Sequence, residues 1–160
     1  MRYLTYSIDT PSYVAQWYNS LDYADAEDVD VKTDQAVSLD DVLLEQGVSI
    51  TGTVTDADFA PIAEVRVYAY KEGDRDNWVA SAIITEPDTN YTLSGLAPGI
   101  NYKIYFMADG YISEWYDDKR GSVESVPAGA ADVLSGTTDI DTVLNKRVSL
   151  VPVYYLLLLK

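Results

Sequence analysis

The sequence contains no histidine and no cysteine among its 160 residues. The absence of histidine excludes histidine-based general acid–base catalysis. The absence of both residue types excludes Ser–His and Cys–His nucleophile pairs, zinc sites built from these side chains, and disulfide bonds. Sites for hard cations are unaffected, because such ions use carboxylate and carbonyl oxygens as ligands.

Basic residues are also few. The chain has 11 Lys and Arg residues against 26 Asp and Glu residues, which gives a formal net charge of −15. Such a chain repels phosphate, so we expect no nucleic-acid partner and no docking on anionic lipid. Hydrophobic residues make up 48% of the sequence, so the chain can bury a core and is not a disordered acidic tail.

Long hydrophobic runs are missing. Residues 148–159 are largely apolar but number only 12 and include Pro152, whereas about 20 residues are needed to span a bilayer. We therefore expect no membrane span and interpret this run as a buried or interface strand. The first residues reach Asp9 without an apolar stretch, so no secretory signal is expected there.

Alternating apolar residues predict strands through the middle of the chain. The alternation is clearest in Val48–Thr55 and Glu64–Lys71, and further strands are predicted at Trp78–Ile84, Tyr91–Leu93 and Tyr102–Phe106. Turn-forming residues separate these segments at a spacing of about ten residues, which is typical of a β-sandwich. Weaker patterns at 12–21 and 114–119 suggest short helical turns.

The same alternation identifies the side chains that should face the core. They are Val48, Ile50 and Val54 in the first strand, Val65, Val67 and Ala69 in the second, and Tyr102, Ile104 and Phe106 in the fifth.

An internal repeat has a period of about 100 residues. Its four matches are Tyr3–Tyr6 with Tyr102–Tyr105, Gln16–Asn19 with Glu114–Asp117, Asp40–Leu44 with Asp139–Leu144, and Val48–Ile50 with Val148–Leu150. The offset drifts from 98 to 100, as small loop insertions would produce. A unit of this size is normal for one sandwich.

The repeat predicts three segments with incomplete ends. Residues 47–147 hold one complete unit, residues 1–46 match only the second half of a unit, and residues 148–160 match only an opening strand. A half sandwich exposes its core and an open sheet edge. The chain is therefore either part of a longer array or has ends that complete each other.

Ten of the last 13 residues are apolar, which suits a strand that inserts into a half sandwich. It could add to the amino-terminal half of its own chain or to that of the next subunit. The residues that would carry this assembly are Val148, Leu150, Val151, Val153 and Tyr155.

Several motifs of the complete unit resemble a known family. They are Gly52–Asp56 followed by Pro61-Ile62, the strand Val65–Tyr70, the stretch Tyr91–Gly99, and Tyr102–Ile104. Together they resemble the carboxypeptidase regulatory-like domain, which is related to prealbumin-like and collagen-adhesin B-type repeats. The continuation from Gly110-Tyr111 to Glu114–Asp117 resembles a variant common in bacterial surface and secreted proteins.

The resemblance implies an antiparallel seven-strand Greek-key sandwich. It also implies a module that is usually not catalytic and that serves as a spacer, stalk or adhesive unit on exported proteins. We therefore expect an all-β, non-enzymatic module located outside the cell or on its surface. A carbohydrate-binding module and a self-assembling filament or tube subunit are the alternatives.

The acidic residues suggest one candidate metal site. Asp56 and Asp58 lie in a turn, and Asp117 and Asp118 lie beside Trp115-Tyr116. Loop carboxylates of this kind could bind calcium. The alternative, which we favour, is that they serve turn formation and a solvated acidic surface, because no calcium-loop spacing is present. No other cofactor is expected.

The segment 20–46 carries nine acidic residues and one basic residue, Lys32. It would repel another copy of itself. We interpret it as a solubilising face, and the alternative is a contact between subunits bridged by cations.

Aromatic residues suggest one candidate binding site. Trp17-Tyr18 and Trp115-Tyr116 occupy equivalent positions of the repeat, and Trp78 stands alone. If exposed, these rings could stack on sugars or anchor a protein interface. The alternative is that each Trp fills the rim between core and loops. Recurrence at equivalent positions favours that structural role.

Overall fold

The computed structural model describes residues 4–5, 13–20, 23–74 and 77–148. Within them lie eleven strands and one 3₁₀ helix, Tyr23–Asp25. The strands are β1 (Leu4–Thr5), β2 (Gln16–Trp17), β3 (Val48–Asp56), β4 (Glu64–Lys71), β5 (Trp78–Thr85), β6 (Asn90–Leu96), β7 (Asn101–Met107), β8 (Glu114–Trp115), β9 (Lys119–Arg120), β10 (Val133–Leu134) and β11 (Thr142–Leu144). The prediction of an all-β fold is confirmed. In the part of the chain that is described, no helix has the length and apolar character needed to cross a membrane.

Two sheets of the complete unit enclose its core. The larger sheet has the order β5-β4-β7-β8-β9, and β10 pairs with β7 beside β8. The smaller sheet has the order β11-β3-β6. Side chains from both sheets form one hydrophobic cluster, as expected for a sandwich.

The core is formed by the strand positions that the alternation predicts. Ile50, Val67, Leu93, Ile104 and Phe106 are all fully buried. Each such side chain contributes about 1.5–3 kcal/mol to the free energy of unfolding. Neighbouring residues on the same strands point to the other face, because side chains alternate along a strand.

Two core tyrosines bind backbone groups that would otherwise be unsatisfied. The hydroxyl of Tyr91 donates to the carbonyl of Ile140 at 2.8 Å. The hydroxyl of Tyr102 accepts from the backbone N–H of Ala97 at 3.0 Å. Burial raises the pKa of both phenols, so both stay protonated at neutral pH.

The closing strand β11 enters the smaller sheet parallel to β3. Thr142 lies opposite Val54, and Leu144 lies opposite Asp56. The other strand pairs of the described residues are antiparallel, so the expected antiparallel sandwich differs at this one pairing. The reason is topological, because the chain crosses from β10 in the larger sheet to β11 in the smaller one, and a crossover permits a parallel pair.

Gly52 lets the chain before β11 approach β3. The N–H of Ile140 donates to the carbonyl of Thr51 at 3.0 Å, and the N–H of Thr51 donates to the carbonyl of Thr137 at 3.2 Å. A Cβ atom on residue 52 would lie 2.1 Å from the carbonyl oxygen of Ile140. Only a residue without a side chain permits this close backbone approach.

The suggested helical turns at 12–21 and 114–119 are wrong. Residues 114–115 and 119–120 form a short hairpin whose first strand pairs with β7. Gln16–Trp17 likewise forms a strand, which pairs with β1. In both places an adjacent strand edge satisfies the backbone groups, and this tertiary pairing overrides a weak local helical pattern.

Some backbone contacts of the amino-terminal segment recur in the second half of the complete unit. An isolated antiparallel bridge joins Tyr13 to Gln46, and another joins Tyr111 to Lys146. The sequence repeat aligns these two pairs with each other. The bridge therefore recurs at equivalent positions of the two segments.

Hydrogen bonds recur in the same way. The N–H of Val14 donates to the carbonyl of Glu45 at 2.9 Å, and the aligned bond from Ile112 to Asn145 measures 2.8 Å. The N–H of Glu27 donates to the carbonyl of Tyr18 at 3.2 Å, as the N–H of Ala131 does to that of Tyr116 at 2.7 Å. This matches the buried residues Ala26 and Val29 with Ala130 and Val133 at a local offset of 104, larger than the 98 to 100 of the sequence matches. These backbone contacts therefore recur at matching positions of the two segments.

We predict that Gly52→Ala lowers the free energy of unfolding by about 1–3 kcal/mol, because the new methyl group collides with the backbone before β11. Chemical denaturation of the two proteins measures the difference. Thr51→Ala on the same strand is the matched control, since it adds no atom at the contact. Equal stability of the Gly52→Ala and parent proteins would show that β11 does not close against β3 in this way.

Candidate binding surfaces

The outer face of the larger sheet carries a cluster of aromatic side chains. Tyr68 and Tyr70 alternate with the buried residues of β4, and Tyr105 does so on β7. Trp78 begins β5 beside them. Their rings line an open depression of about 400 Å³, together with Met107 and the loop Ser122–Glu124. We call this surface the aromatic depression.

Two rings of the aromatic depression face solvent. Trp78 is 53% exposed, and its ring centroid lies 6.0 Å from that of the half-buried Tyr68, at an interplanar angle of 54°. Tyr70 and Tyr105 are buried and form the floor. An exposed indole beside a half-buried phenol ring offers apolar faces on which a sugar ring or an apolar side chain can stack.

Trp115 lies beneath this floor. Its side chain is fully buried, with its ring centroid 4.8 Å from that of Tyr105 and 5.5 Å from that of Tyr70. Its indole Nε1–H donates to the carbonyl of Ser122 at 3.2 Å. Trp115 therefore positions the floor and the adjacent loop and is not itself accessible to a ligand.

The other predicted aromatic positions are also largely covered. Tyr18 is buried, while Trp17 and Tyr116 are half-buried. Tyr116 packs against the main core. Of the five aromatic candidates, Trp78 is the one with an exposed ring. The burial of the repeated Trp-Tyr pairs therefore supports the structural interpretation, in which each Trp fills the rim between core and loops.

Sequence reasoning missed the partners of Trp78 in the aromatic depression. Tyr68, Tyr70 and Tyr105 occupy outward positions of their strands, and this alternation was the available signal. It could not show that β4, β5 and β7 are neighbours, which is what brings the rings together.

Asp56 is occupied by its own turn. Its Oδ1 accepts the backbone N–H groups of Asp58 at 2.9 Å and Ala60 at 3.0 Å, and its Oδ2 lies 3.2 Å from Nζ of Lys146. The Ala60 N–H is the main cause that holds the pKa of this carboxyl below its usual value, and Lys146 adds to it. The expectation that this aspartate closes a turn is confirmed.

The four aspartates proposed for calcium are not brought together. Asp58, Asp117 and Asp118 are exposed. Over the residues that the structure describes, no three acidic side chains form a group that could hold a metal ion. Binding of calcium by this chain stays a prediction from composition, without a shared site.

A second surface lies in the amino-terminal segment. Val37, Leu39 and Leu43 are 43%, 42% and 90% exposed. The repeat aligns the end of this stretch with β11, where Leu144 is fully buried. We call residues 37–44 the apolar strip. The three exposed side chains align with Thr137, Asp139 and Val143, none of which is buried, while Leu44, which aligns with Leu144, is half-buried.

Most of the predicted assembly strand falls outside the described residues. Val148 is described and is 83% exposed. Leu150, Val151, Val153 and Tyr155 lie beyond it.

Glu114 is a buried acid beside the closing strand. Its carboxylate accepts a hydrogen bond from the hydroxyl of Thr142 on β11. Burial raises the pKa of Glu114, while the Thr142 hydroxyl acts in the opposite direction. In the repeat, the aligned residue of the amino-terminal segment is Gln16, which is uncharged.

The raised pKa of Glu114 predicts a pH dependence of stability. The carboxyl of Glu114 holds its proton more tightly in the native state than in the unfolded chain, where its pKa is near 4.5. The contribution of protonated Glu114 to the free energy of unfolding is therefore complete below pH 4.5 and is lost as the pH rises through the native pKa. Glu114→Gln should keep the bond to Thr142, raise the free energy of unfolding at pH 7 and flatten this dependence.

Denaturant titrations between pH 4 and 8 measure this effect. Glu124→Gln, which removes an exposed acid, is the matched control and should leave the profile unchanged. A Glu114→Gln protein less stable than the parent at pH 7 would show that the ionised carboxylate is favourable at this position.

A comparison with known families gives a result that agrees with this architecture. The family model described as the carboxypeptidase regulatory-like domain matches residues 49–139. No curated protein matches the chain. The matched region begins in β3 and ends in the segment before β11 that hydrogen-bonds to β3. The region covers more than half of the sequence. The chain therefore belongs to the carboxypeptidase regulatory-like domain family.

Proposed function

We propose that this chain is a non-catalytic structural module, a spacer or adhesive unit of a surface or secreted protein. The observation that carries the proposal is the recurrence of the same bridge and hydrogen bonds in residues 13–46 and 111–146. A protein that repeats one sandwich unit along its chain adds length and surface, which suits a stalk or an adhesin.

The path of the chain supports a spacer. The complete unit begins at Val48, the first residue of β3. Near the end of the unit, Lys146 forms an ion pair with Asp56, which is the last residue of β3. A strand of nine residues spans about 26 Å. The chain therefore enters and leaves at opposite ends, and each unit in series would lengthen the molecule.

The buried acid and the surface shape support a non-catalytic role. Glu114 is buried and bonded to Thr142, so it faces no substrate. The aromatic depression is open, and among the described residues that line it Glu124 is the one carboxylic acid. A hydrolase that used paired carboxylates would need two of them facing one enclosed substrate.

We predict that residues 47–147 fold alone as one cooperative unit. The isolated fragment should show a single thermal transition and the near-ultraviolet circular dichroism signal of a packed Trp115. A fragment that is unfolded at 25 °C would contradict the proposed division at residues 47 and 147. Surface labelling of intact source cells with an antibody against the fragment tests the extracellular location.

Glycan binding at the aromatic depression is a second candidate function. The exposed Trp78 ring beside Tyr68 favours it. Alanine substitution of an aromatic ring that stacks on a sugar removes most of the contact, so Trp78→Ala should weaken binding at least about tenfold. Phe59→Ala is the matched control, because Phe59 is 79% exposed in a turn outside the depression. A glycan array with the parent protein tests the candidate, and absence of binding would exclude the glycans tested.

Self-assembly is a third candidate, favoured by the exposed apolar strip. Its partner would be another copy of the chain. Calcium could reduce repulsion between the acidic segments 20–46 of neighbouring copies, and light scattering with and without millimolar calcium tests that contribution.

A further inference from the structure

The aromatic depression brings four aromatic rings to one place on the larger sheet. Tyr68 lies opposite Tyr105 in the pairing of β4 with β7, and Tyr70 lies opposite Trp78 in the pairing of β4 with β5. The ring centroid of Tyr68 is 6.4 Å from that of Tyr70 and 6.0 Å from that of Trp78. A cation is attracted to a ring face within about 6 Å of the ring centroid. At these spacings one bound cation can contact more than one ring.

Glu124 supplies a negative charge at the edge of the depression. Its side chain is exposed, and among the residues that the structure describes no Lys or Arg forms an ion pair with it. The loop that carries it is tied to the floor. The carbonyl of Ser122 accepts the N–H of Ser125 at 3.1 Å and the indole N–H of Trp115 at 3.2 Å. The loop is therefore fixed relative to the rings, and its acid has no basic partner.

The basic residues nearest to the rings along the strands are already paired with acids. Arg66 and Lys103 lie two residues before aromatic positions of β4 and β7 and therefore share their face of the sheet. Nη2 of Arg66 lies 2.9 Å from Oε1 of Glu64, and Nζ of Lys103 lies 2.8 Å from Oδ1 of Asp132. Among the described residues that line the depression, none is basic. The charge of Glu124 is therefore available to a ligand.

The charge of the whole chain acts in the same direction. A formal net charge of −15 attracts cations to a surface that carries no compensating base and repels anions from it. A neutral sugar or an apolar side chain gains nothing from this field. Stacking alone is compatible with all three kinds of ligand, whereas the charges favour the cation.

The size and lining of the depression favour one kind of cation. A volume of about 400 Å³ is at the lower end of the range for small-molecule sites, about 300–1,000 Å³. Apart from the rings and Glu124, the lining includes the apolar side chains of Met107 and Val123. A primary ammonium is strongly hydrated and finds few acceptors on such a surface. A quaternary ammonium presents methyl groups instead, and aromatic sites recognise ions of this type.

We propose that the aromatic depression binds a small molecule that carries a quaternary ammonium group. The rings of Trp78 and Tyr68 contact its methyl groups, and Glu124 balances its charge. This inference goes beyond the proposed structural role and does not depend on the repeat. A neutral glycan at the same surface is the competing ligand, and the first experiment separates the two.

The first experiment is a nuclear magnetic resonance titration of the full chain with choline. The comparison ligand is 3,3-dimethyl-1-butanol, which has the shape of choline with a carbon atom in place of the charged nitrogen. We expect saturable shifts of the backbone N–H signals of residues 68–70, 105–107 and 122–124. Choline should bind at least about tenfold more tightly than the neutral ligand. Added salt should weaken only the binding of choline, because it screens charge.

Four results of the titrations would overturn the proposal. The first is the absence of saturable shifts with choline at tens of millimolar, and the second is equal affinity for the two ligands. The third is binding of a neutral sugar without binding of choline, which would assign the depression to glycans. The fourth is tighter binding of a trimethyllysine peptide than of choline, which would assign it to a modified protein partner.

The second experiment tests the role of the exposed ring. Trp78→Leu keeps an apolar side chain but removes the aromatic face, and it should weaken choline binding at least about tenfold. Trp78→Phe is the matched control, because it keeps an aromatic face and should retain most of the affinity. Since Trp78 is 53% exposed, both variants should unfold thermally like the parent. Choline binding by Trp78→Leu that equals that of the parent would contradict the proposal.

The third experiment tests the role of the acid. Glu124→Gln should weaken choline binding about two- to fivefold, as expected for an exposed charge pair, and should leave binding of the neutral ligand unchanged. Glu86→Gln is the matched control, because Glu86 is also exposed and follows β5 at the end opposite to Trp78. Equal effects of the two substitutions on choline affinity would show that Glu124 is no part of the site and would overturn the proposal.

Discussion

The backbone contact between β3 and the segment that leads into β11 determines how this sandwich closes. The carbonyl of Ile140 lies where a side chain of residue 52 would be. The N–H of Ile140 donates to the carbonyl of Thr51. Because residue 52 is a glycine and has no side chain, β11 can reach the edge of β3 and bury Leu144. The hydroxyl of Tyr91 and the carboxylate of Glu114 hold the same region through Ile140 and Thr142.

The two halves of the chain differ at the position of the closing strand. Beside β3, Ile140, Thr142 and Leu144 are buried. The aligned residues Asp40, Val42 and Leu44 are exposed or half-buried and form no strand. A parallel strand at this edge is not joined to its neighbour by a short turn. It can therefore be supplied by another part of the chain or by another molecule, as in other cases of strand addition. A structural module and an assembling module differ here only in the origin of one strand.

Much of the fold could be predicted from the sequence, because strand alternation is a local property. The inward positions of β3, β4 and β7 were identified in advance, as was the role of Asp56 in its turn. The parallel pairing of β11 could not be, since it depends on a crossover between sheets. Of the aromatic depression, the sequence identified only Trp78 as a candidate, because the neighbouring rings come from other strands that the fold brings together.

The sequence by itself determined the β class, the period of the repeat and the family, since each depends on residue types at fixed spacings along one chain. Tertiary structure decided which of the marked residues are accessible. It buried Trp115 beneath Tyr70 and Tyr105, left Trp78 in solvent, and dispersed the four aspartates proposed for calcium. The physical reason is that exposure and proximity are set by which strands become neighbours. Strand order arises from long-range packing that no local pattern encodes.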